Sequence, residues 1–402
     1  MSNLFSSILL VSLALPLAVF RIPLSSIVFF AYFTIFAFRD IFRLKFSLST
    51  KLIAAYAALL ALLFARGTPL DGIDSVLALC RYFLAFLPIL LLPSLRSFAL
   101  NNKLNSRYCL SVLSAALLFL GIWSALPNSQ CVTIYGGKCI LFQVSSSFGA
   151  FASIAIVIFS FYIYRLQYSL YLKLMSILNS LLYLYLGAIQ GARSFWIFAG
   201  STLLFLLISM LANILRRRKI SINKILIYSI VSSPLLLLVP FFINVSSFER
   251  LIPFILDISS DSRIQNGYIL GSKLSLSLSE FFVGRSLFSQ LENWNANSAY
   301  DSAMNLLLSD FGIIGAVFIL SLASVSILSV LRSPMSNLSR LYCKIFISVY
   351  VIANVTNEFI FLKGVNPLFV VLLFLLSLGK LETNMIQSSG VTQADQHRYS
   401  RC

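Results

Sequence analysis

Histidine is almost absent from this chain: His397, close to the C-terminal end, is the only one in 402 residues. That excludes a histidine base in the apolar part of the chain, and with it any histidine-based metal site. The six cysteines do not fall at metal-ligand spacing either. No Gly-rich phosphate loop precedes a helix, so nothing points to the use of ATP. Charge is scarce as well. Charged residues make up 11% of the chain, against roughly 25% in soluble domains. With 59% hydrophobic residues and a mean hydropathy of +0.92, the composition is that of an integral, multi-span membrane protein and not of a large soluble core.

What is present is a series of long apolar runs. A helix needs roughly 20 apolar residues to cross the hydrocarbon of a bilayer. By that measure the chain predicts an all-α bundle of about twelve transmembrane helices, near residues 4–20, 22–38, 48–65, 75–93, 108–126, 148–164, 170–190, 194–214, 224–243, 303–331, 344–362 and 365–379. The run Leu4 to Phe20 has no basic leader and no small-x-small cleavage site, so it reads as a retained first span. Residues 1–243 then hold nine helices, 244–302 one large loop, 303–380 three more helices, and 381–402 a polar tail expected to be disordered.

The net charge of +17 would suit a nucleic-acid partner if it were clustered, but it is not. Arg39, Arg43, Lys45 and Lys51 flank the second connection, and Arg96, Lys103 and Arg107 the fourth. Arg165 and Lys173 lie in the sixth, and Arg216 to Lys219 with Lys224 in the eighth. Arg332, Arg340 and Lys344 mark the tenth, and Lys380, Arg398 and Arg401 the tail. The odd connections hold the fewer remaining positives, from Arg21 and Arg66 to Lys363. This alternation obeys the positive-inside rule, explains the basic excess by insertion alone, and leaves no call for nucleic acid. It predicts a multi-pass membrane protein with both termini cytoplasmic and the 244–302 loop on the outer face. Cys131 and Cys139 bracket a short loop on that same outer side, with Tyr135-Gly136-Gly137 as a turn between them. An oxidising compartment permits a disulfide there; two free thiols are the alternative. The two halves of the chain show no repeat, which weighs against a transporter built on repeat symmetry.

Chemistry is therefore left to arginine and carboxylate on the outer face. Arg193 sits in the short link Gln190-Gly191-Ala192-Arg193-Ser194. A guanidinium matches two oxygens of a phosphate, although an interfacial arginine can also simply snorkel. Arg263, close to Asp261, and Arg285, close to Glu280, lie in the large loop, where each is either a ligand for an anion or a solvated charge. Asp301 ends that loop, with Asn305 one turn on and on the same face. It reads equally as a helix cap and as a catalytic acid or base. Arg81, Asp310 and Glu358 lie within spans. Ionisable groups at such depth face a partner or a cavity, so an Arg81–carboxylate pair or an outward-opening polar cavity is expected. The run Leu274 to Ser279 alternates like a strand, but Leu270, Leu274 and Leu278 form a helical stripe, and an amphipathic helix on the outer leaflet is preferred.

Three patterns in this region resemble the O-antigen polymerase and O-antigen ligase superfamily. They are Gly191-Ala192-Arg193-Ser194-Phe195-Trp196; Ser262-Arg263 followed by Phe282-Val283-Gly284-Arg285-Ser286; and Tyr300-Asp301-Ser302 leading into Leu306 to Gly315, which ends Gly312-Ile313-Ile314-Gly315. The resemblance covers residues 190–315 and is strengthened by the order of the patterns and by the late large loop. It implies a metal- and cofactor-independent glycosyltransferase whose donor is a glycan on undecaprenyl pyrophosphate. Arg193 and Arg263 would hold the pyrophosphate, with Arg285, Arg81 and Asn305 as further substrate contacts, and Asp301 would position or deprotonate the attacking hydroxyl. Polymerisation of repeat units is the implied reaction, because the ligase branch has histidine where this chain has Asp301. Ligation to lipid A core and flipping of a lipid-linked oligosaccharide are the alternatives. The partners implied are that lipid-linked glycan, the bilayer and a chain-length regulator protein. One expectation is directly measurable: the non-reduced peptide carrying Cys131 and Cys139 should be two hydrogens lighter than its reduced form, and alkylation of both thiols without prior reduction would contradict the disulfide.

Overall fold

A computed structural model describes residues 47–66, 72–101, 107–125, 146–166, 169–189, 195–205, 278–284, 303–333, 335–356 and 365–378, and before residue 40 the residues 8, 18–19, 22–23, 28, 30–35 and 39. Within these the chain is helical apart from one minimal bridge. The helices are α1 (Leu48–Ala65), α2 (Gly72–Leu90), α3 (Leu92–Asn101), α4 (Arg107–Ala125), α5 (Ser146–Arg165), α6 (Leu170–Ile189) and α7 (Phe195–Phe205). They continue with α8 (Leu278–Val283), α9 (Ala303–Leu331), α10 (Asn337–Thr356) and α11 (Val365–Leu376). The bridge pairs β1 (Ala18–Val19) with β2 (Ile22–Pro23), antiparallel, and turns the chain at the predicted first connection. An apolar solvent offers no hydrogen bonds, so helices that bond their own backbone are the expected outcome for such runs.

Four helical stretches are long and apolar enough to cross a bilayer: Leu48–Ala65, Arg107–Ala125, Leu170–Ala188 and Leu307–Leu331. A fifth span is available if α2 and α3 are taken together; they meet at Leu91 with a bend of 46°. Twelve spans are thus not what the described residues contain; the runs 4–20, 206–214 and 224–243 lie wholly or largely outside them, and the run 22–38 is described only in part. Three boundaries differ from expectation for physical reasons. The 75–93 run is not one straight span. Pro88 lies inside α2 and Pro93 at the start of α3, and proline removes a helix donor and crowds the preceding turn. The backbone stays bonded across the bend, Leu91 N–H to Leu87 O and Leu95 N–H to Leu91 O, both at 2.9 Å. The helix of the run expected at 344–362 starts early, where Ser336 caps it: its Oγ accepts from the Ser339 N–H at 3.0 Å. The last helix is the third case. At 12 residues and about 1.5 Å per residue, α11 falls short of a hydrocarbon core of about 30 Å. Its residues from Leu368 to Leu376 are all buried. A helix that is apolar all round and enclosed by α2, α3, α5 and α10 is a core element, not a lipid-facing one.

Polar groups tie the helices together from inside. Asn179 of α6 donates to Ser114 O of α4 at 2.9 Å, and Tyr183 one turn on donates to Leu117 O at 2.9 Å. Tyr56 of α1 reaches Tyr82 O of α2 at 2.8 Å. Contacts near the helix ends join residues that charge alternation assigns to one face. Arg66 meets Val283 and Gly284, both assigned outside. Arg96 meets Ser377 O at 3.4 Å, and Tyr162 meets Ser339 at 2.8 Å, both pairs assigned inside.

The enclosure of α11 yields a measurable contrast. Leu372→Ala, at a residue 0% exposed, should cost about 2–4 kcal/mol through the cavity it leaves. Leu181→Ala, on a face of α6 where the side chain is 57% exposed, should stay within about 0.5 kcal/mol. Thermal melts of the purified protein compare the two; equal losses would contradict a core position for α11.

Candidate functional site

Asp310 is the centre of the described site. It lies two turns into α9, is fully buried, and accepts a hydrogen bond at Oδ2 from the Tyr82 hydroxyl of α2. Ser309 Oγ lies 3.4 Å from its other oxygen. The Tyr82 ring packs edge-on against Phe311 at 5.3 Å, and the Tyr82 backbone carbonyl is itself held by Tyr56. A carboxyl group taken out of water needs such partners, because an unbonded one carries a desolvation penalty of several kcal/mol.

Directly after Asp310 the helix breaks. Gly312 has φ 64° and ψ −179°, a conformation essentially reserved for glycine. The space that a side chain would need is already filled: a Cβ on Gly312 would overlap the backbone of Phe282 and Gly284. The reverse also holds, since a Cβ on Gly284, at φ 76°, would overlap the carbonyl of Asp310 and the nitrogen of Gly312. Two backbones therefore touch, with the turn after α8 lying in the break of α9. Gly284 N–H closes α8 on Glu280 O at 2.8 Å. Arg66, which follows α1, clasps the same turn by donating from Nη1 to Val283 O at 2.9 Å and from Nη2 to Gly284 O at 3.4 Å.

This geometry bears on the residues chosen from the sequence in different ways. Arg193, Arg263, Arg285, Asp301, Glu358, Cys131 and Cys139 lie outside the described residues. Arg81 is in α2, immediately before Tyr82, and Asn305 is in the first turn of α9. Asp310, one of the ionisable groups expected within a span, meets Tyr82 of α2; the side chain of Arg81 lies outside the described part, and so does the Arg81–carboxylate pair expected of it. Of the run read as an amphipathic helix, Leu278 and Ser279 are described and open α8, on which Phe281 and Phe282 are exposed with their rings 5.3 Å apart. Residues 274–277 lie outside the described part. Three participants went unnoticed in the sequence: Tyr82, Arg66 and the glycine-to-glycine contact. Only the last left a signal, in the glycines of two of the quoted patterns. Among the described residues no group of three or more histidine, cysteine or acidic side chains converges to hold a metal.

Comparison of the chain with protein-family models, with curated proteins and with solved structures found no match. The family resemblance accordingly stands on the quoted sequence motifs alone.

The break sets a test with an internal control. Gly312→Ala should lose about 2–4 kcal/mol, from the disfavoured backbone conformation and from overlap with Phe282 and Gly284. Gly200→Ala, in α7 where a Cβ meets nothing within 4 Å, should be neutral or up to about 1 kcal/mol stabilising. Melting temperatures of both variants in the same detergent decide it.

Proposed function

We propose that the chain is a membrane glycosyltransferase that polymerises undecaprenyl-pyrophosphate-linked oligosaccharide repeat units into O-antigen, capsule or exopolysaccharide, at the periplasmic face of a bacterial inner membrane. The observation that carries this reading is the meeting of two motif segments. The Phe282-Val283-Gly284 step of the large loop and the Asp310 to Gly315 segment of α9 are remote in sequence, yet they touch backbone to backbone. The same helix carries Asn305 in its first turn and follows directly on Asp301.

In this reading the acceptor sugar hydroxyl attacks the anomeric carbon of the donor glycan. The new glycosidic bond forms as the bond to pyrophosphate breaks, and undecaprenyl pyrophosphate departs. Arg193 and Arg263 neutralise the charge that develops on it, with Arg285 as a further contact. Asp301 orients or deprotonates the hydroxyl. Neither a metal nor a nucleotide is called for, and a chain-length regulator is the expected protein partner. A break inside an apolar helix beside a buried acid is also a feature of transport proteins, so the break at Gly312 keeps a lipid-linked oligosaccharide flippase as the second reading. Ligation to lipid A core is the third.

The decisive experiment uses a deletion strain restored with the wild-type gene, with Arg193→Ala or with Arg263→Ala, each checked for membrane expression. Wild type should restore a ladder of glycan chain lengths. Each arginine variant should lower polymerisation on the order of 100-fold, leaving single units on the outer face. Repeat units trapped on the cytoplasmic side in the deletion strain would mean a flippase. Polymer that forms on its carrier but never reaches lipid A core would mean a ligase.

A further inference from the structure

Helices α4 and α6 begin side by side. Asn179 of α6 donates to Ser114 O of α4, and Tyr183 to Leu117 O. Residue numbers thus rise together along the two helices, and the pair is parallel. Gly121 keeps the approach close, since a Cβ there would press on Leu182 and Tyr183. Counting back seven residues from Ser114 and from Asn179 leads to Arg107 and Leu172. Arg107 opens α4, and Lys173 lies in the first turn of α6. The two cations therefore stand at one height, at the end that charge alternation assigns to the cytoplasm.

A cation is poorly placed there. The N-terminus of a helix carries the positive end of its dipole and leaves N–H groups without carbonyl partners, so it favours anions. Neither helix has an acidic residue in its first turn, and from Ser75 to Phe248 the chain holds no Asp or Glu at all. Two positive helix ends and two basic side chains meet at one level with no carboxylate from this stretch to balance them. Insertion accounts for the sign of the face, but not for cations set on two adjoining N-termini. Tyr108 and Tyr171 are exposed beside the cations, and tyrosine suits the headgroup boundary. Further along α6, Leu170, Leu174, Leu178 and Leu181 form one exposed apolar stripe. Both helices are long and apolar enough to cross a bilayer, so the stripe meets lipid tails where the cations meet headgroups.

We propose that the paired N-termini of α4 and α6 bind an anionic glycerophospholipid, with its phosphate between Arg107 and Lys173 and its acyl chains along the Leu170–Leu181 stripe. The phosphate relieves the conflict between the cations and the helix dipoles and accepts from the first N–H groups. At 1.5 Å per residue the stripe is about 16 Å long, which matches one leaflet of a hydrocarbon core of about 30 Å. Basic pockets between spans on the cytoplasmic side are a setting in which lipid phosphates are held. The inference is independent of the glycosyltransferase reading; it requires only that α4 and α6 stand in a bilayer.

Native mass spectrometry of the full-length chain in detergent tests it, with phosphatidylglycerol or phosphatidylcholine titrated in. Phosphatidylglycerol should fill one saturable site on the order of tenfold more tightly than phosphatidylcholine. Lys173→Gln and Arg107→Gln should each weaken that site about fivefold. Lys51→Gln should leave it unchanged; Lys51 is an exposed cation of α1, which packs on α2, α3 and α9. Excess glycerol phosphate, which lacks the chains, should not displace the lipid. Melting temperatures add a readout that a merely structural lysine would not give. Without lipid, Lys173→Gln should melt at or slightly above wild type, because a cation leaves a positive helix end. With phosphatidylglycerol it should melt below wild type, because it forgoes part of the stabilisation by bound lipid. Lys173 alone decides the case if Arg107→Gln melts early without lipid. Equal binding of the two lipids, equal weakening by Lys51→Gln, displacement by glycerol phosphate, or the same melting order with and without lipid would each overturn the proposal.

Discussion

Inside an apolar solvent a backbone N–H or C=O has no partner except the chain itself, and the bend and the break among the described helices both answer to that constraint. Where the helices are regular they satisfy themselves. Where α9 breaks at Gly312, the backbone of another segment is packed against the interruption, so the turn after α8 covers it. Where α2 bends into α3, the hydrogen bonds of Leu91 and Leu95 carry the ladder through. The bend and the break are thus protein-covered, with Leu90, Leu91 and Leu92 at the first almost wholly enclosed.

The same constraint organises the polar side chains. Serines of the apolar helices turn back on their own ladders, as Ser176 does to Leu172 O at 2.7 Å and Ser180 to Ser176 O at 2.8 Å. The larger polar groups reach across instead. Asn179, Tyr183, Tyr56 and Ser326 each donate to a carbonyl of a neighbouring helix. Apolar packing has no preference between a neighbouring helix and lipid tails, so bonds of this kind and close approach of small residues fix which helices pair. Gly121, where a Cβ would press on Leu182 and Tyr183, serves the α4–α6 pair in that way. Asp310 is the extreme case, a carboxyl buried at a helix–helix contact and held by a tyrosine.

These contacts also show why some features were legible and others were not. The limits of α1 and α9 are readable to the residue at both ends, because a run of apolar side chains bounded by Ser47 or Ser302 and by Arg66 or Arg332 is a local property. The α2–α3 bend was written in Pro88 and Pro93, yet hydropathy alone reads straight across it. α11 shows the converse: its composition is that of a span, and only its neighbours reveal that its described residues are enclosed by other helices. At the site, Asp310 stood out because an acid within an apolar run is costly wherever it points. Tyr82 did not, because a tyrosine in such a run is unremarkable until its hydroxyl is seen to have a partner.

By itself the sequence determined the apolar, membrane-suited character of this protein, the helical character of those long runs that the structure describes, and the lack of histidine within them. Each of these depends on composition or on the spacing of neighbours along the chain. Tertiary structure alone decided that Gly284 meets Gly312, that Arg66 clasps the same turn and that Tyr82 holds Asp310. Those pairings join segments hundreds of residues apart or on different helices, and they depend on which faces meet when the helices pack, a property that no local pattern encodes.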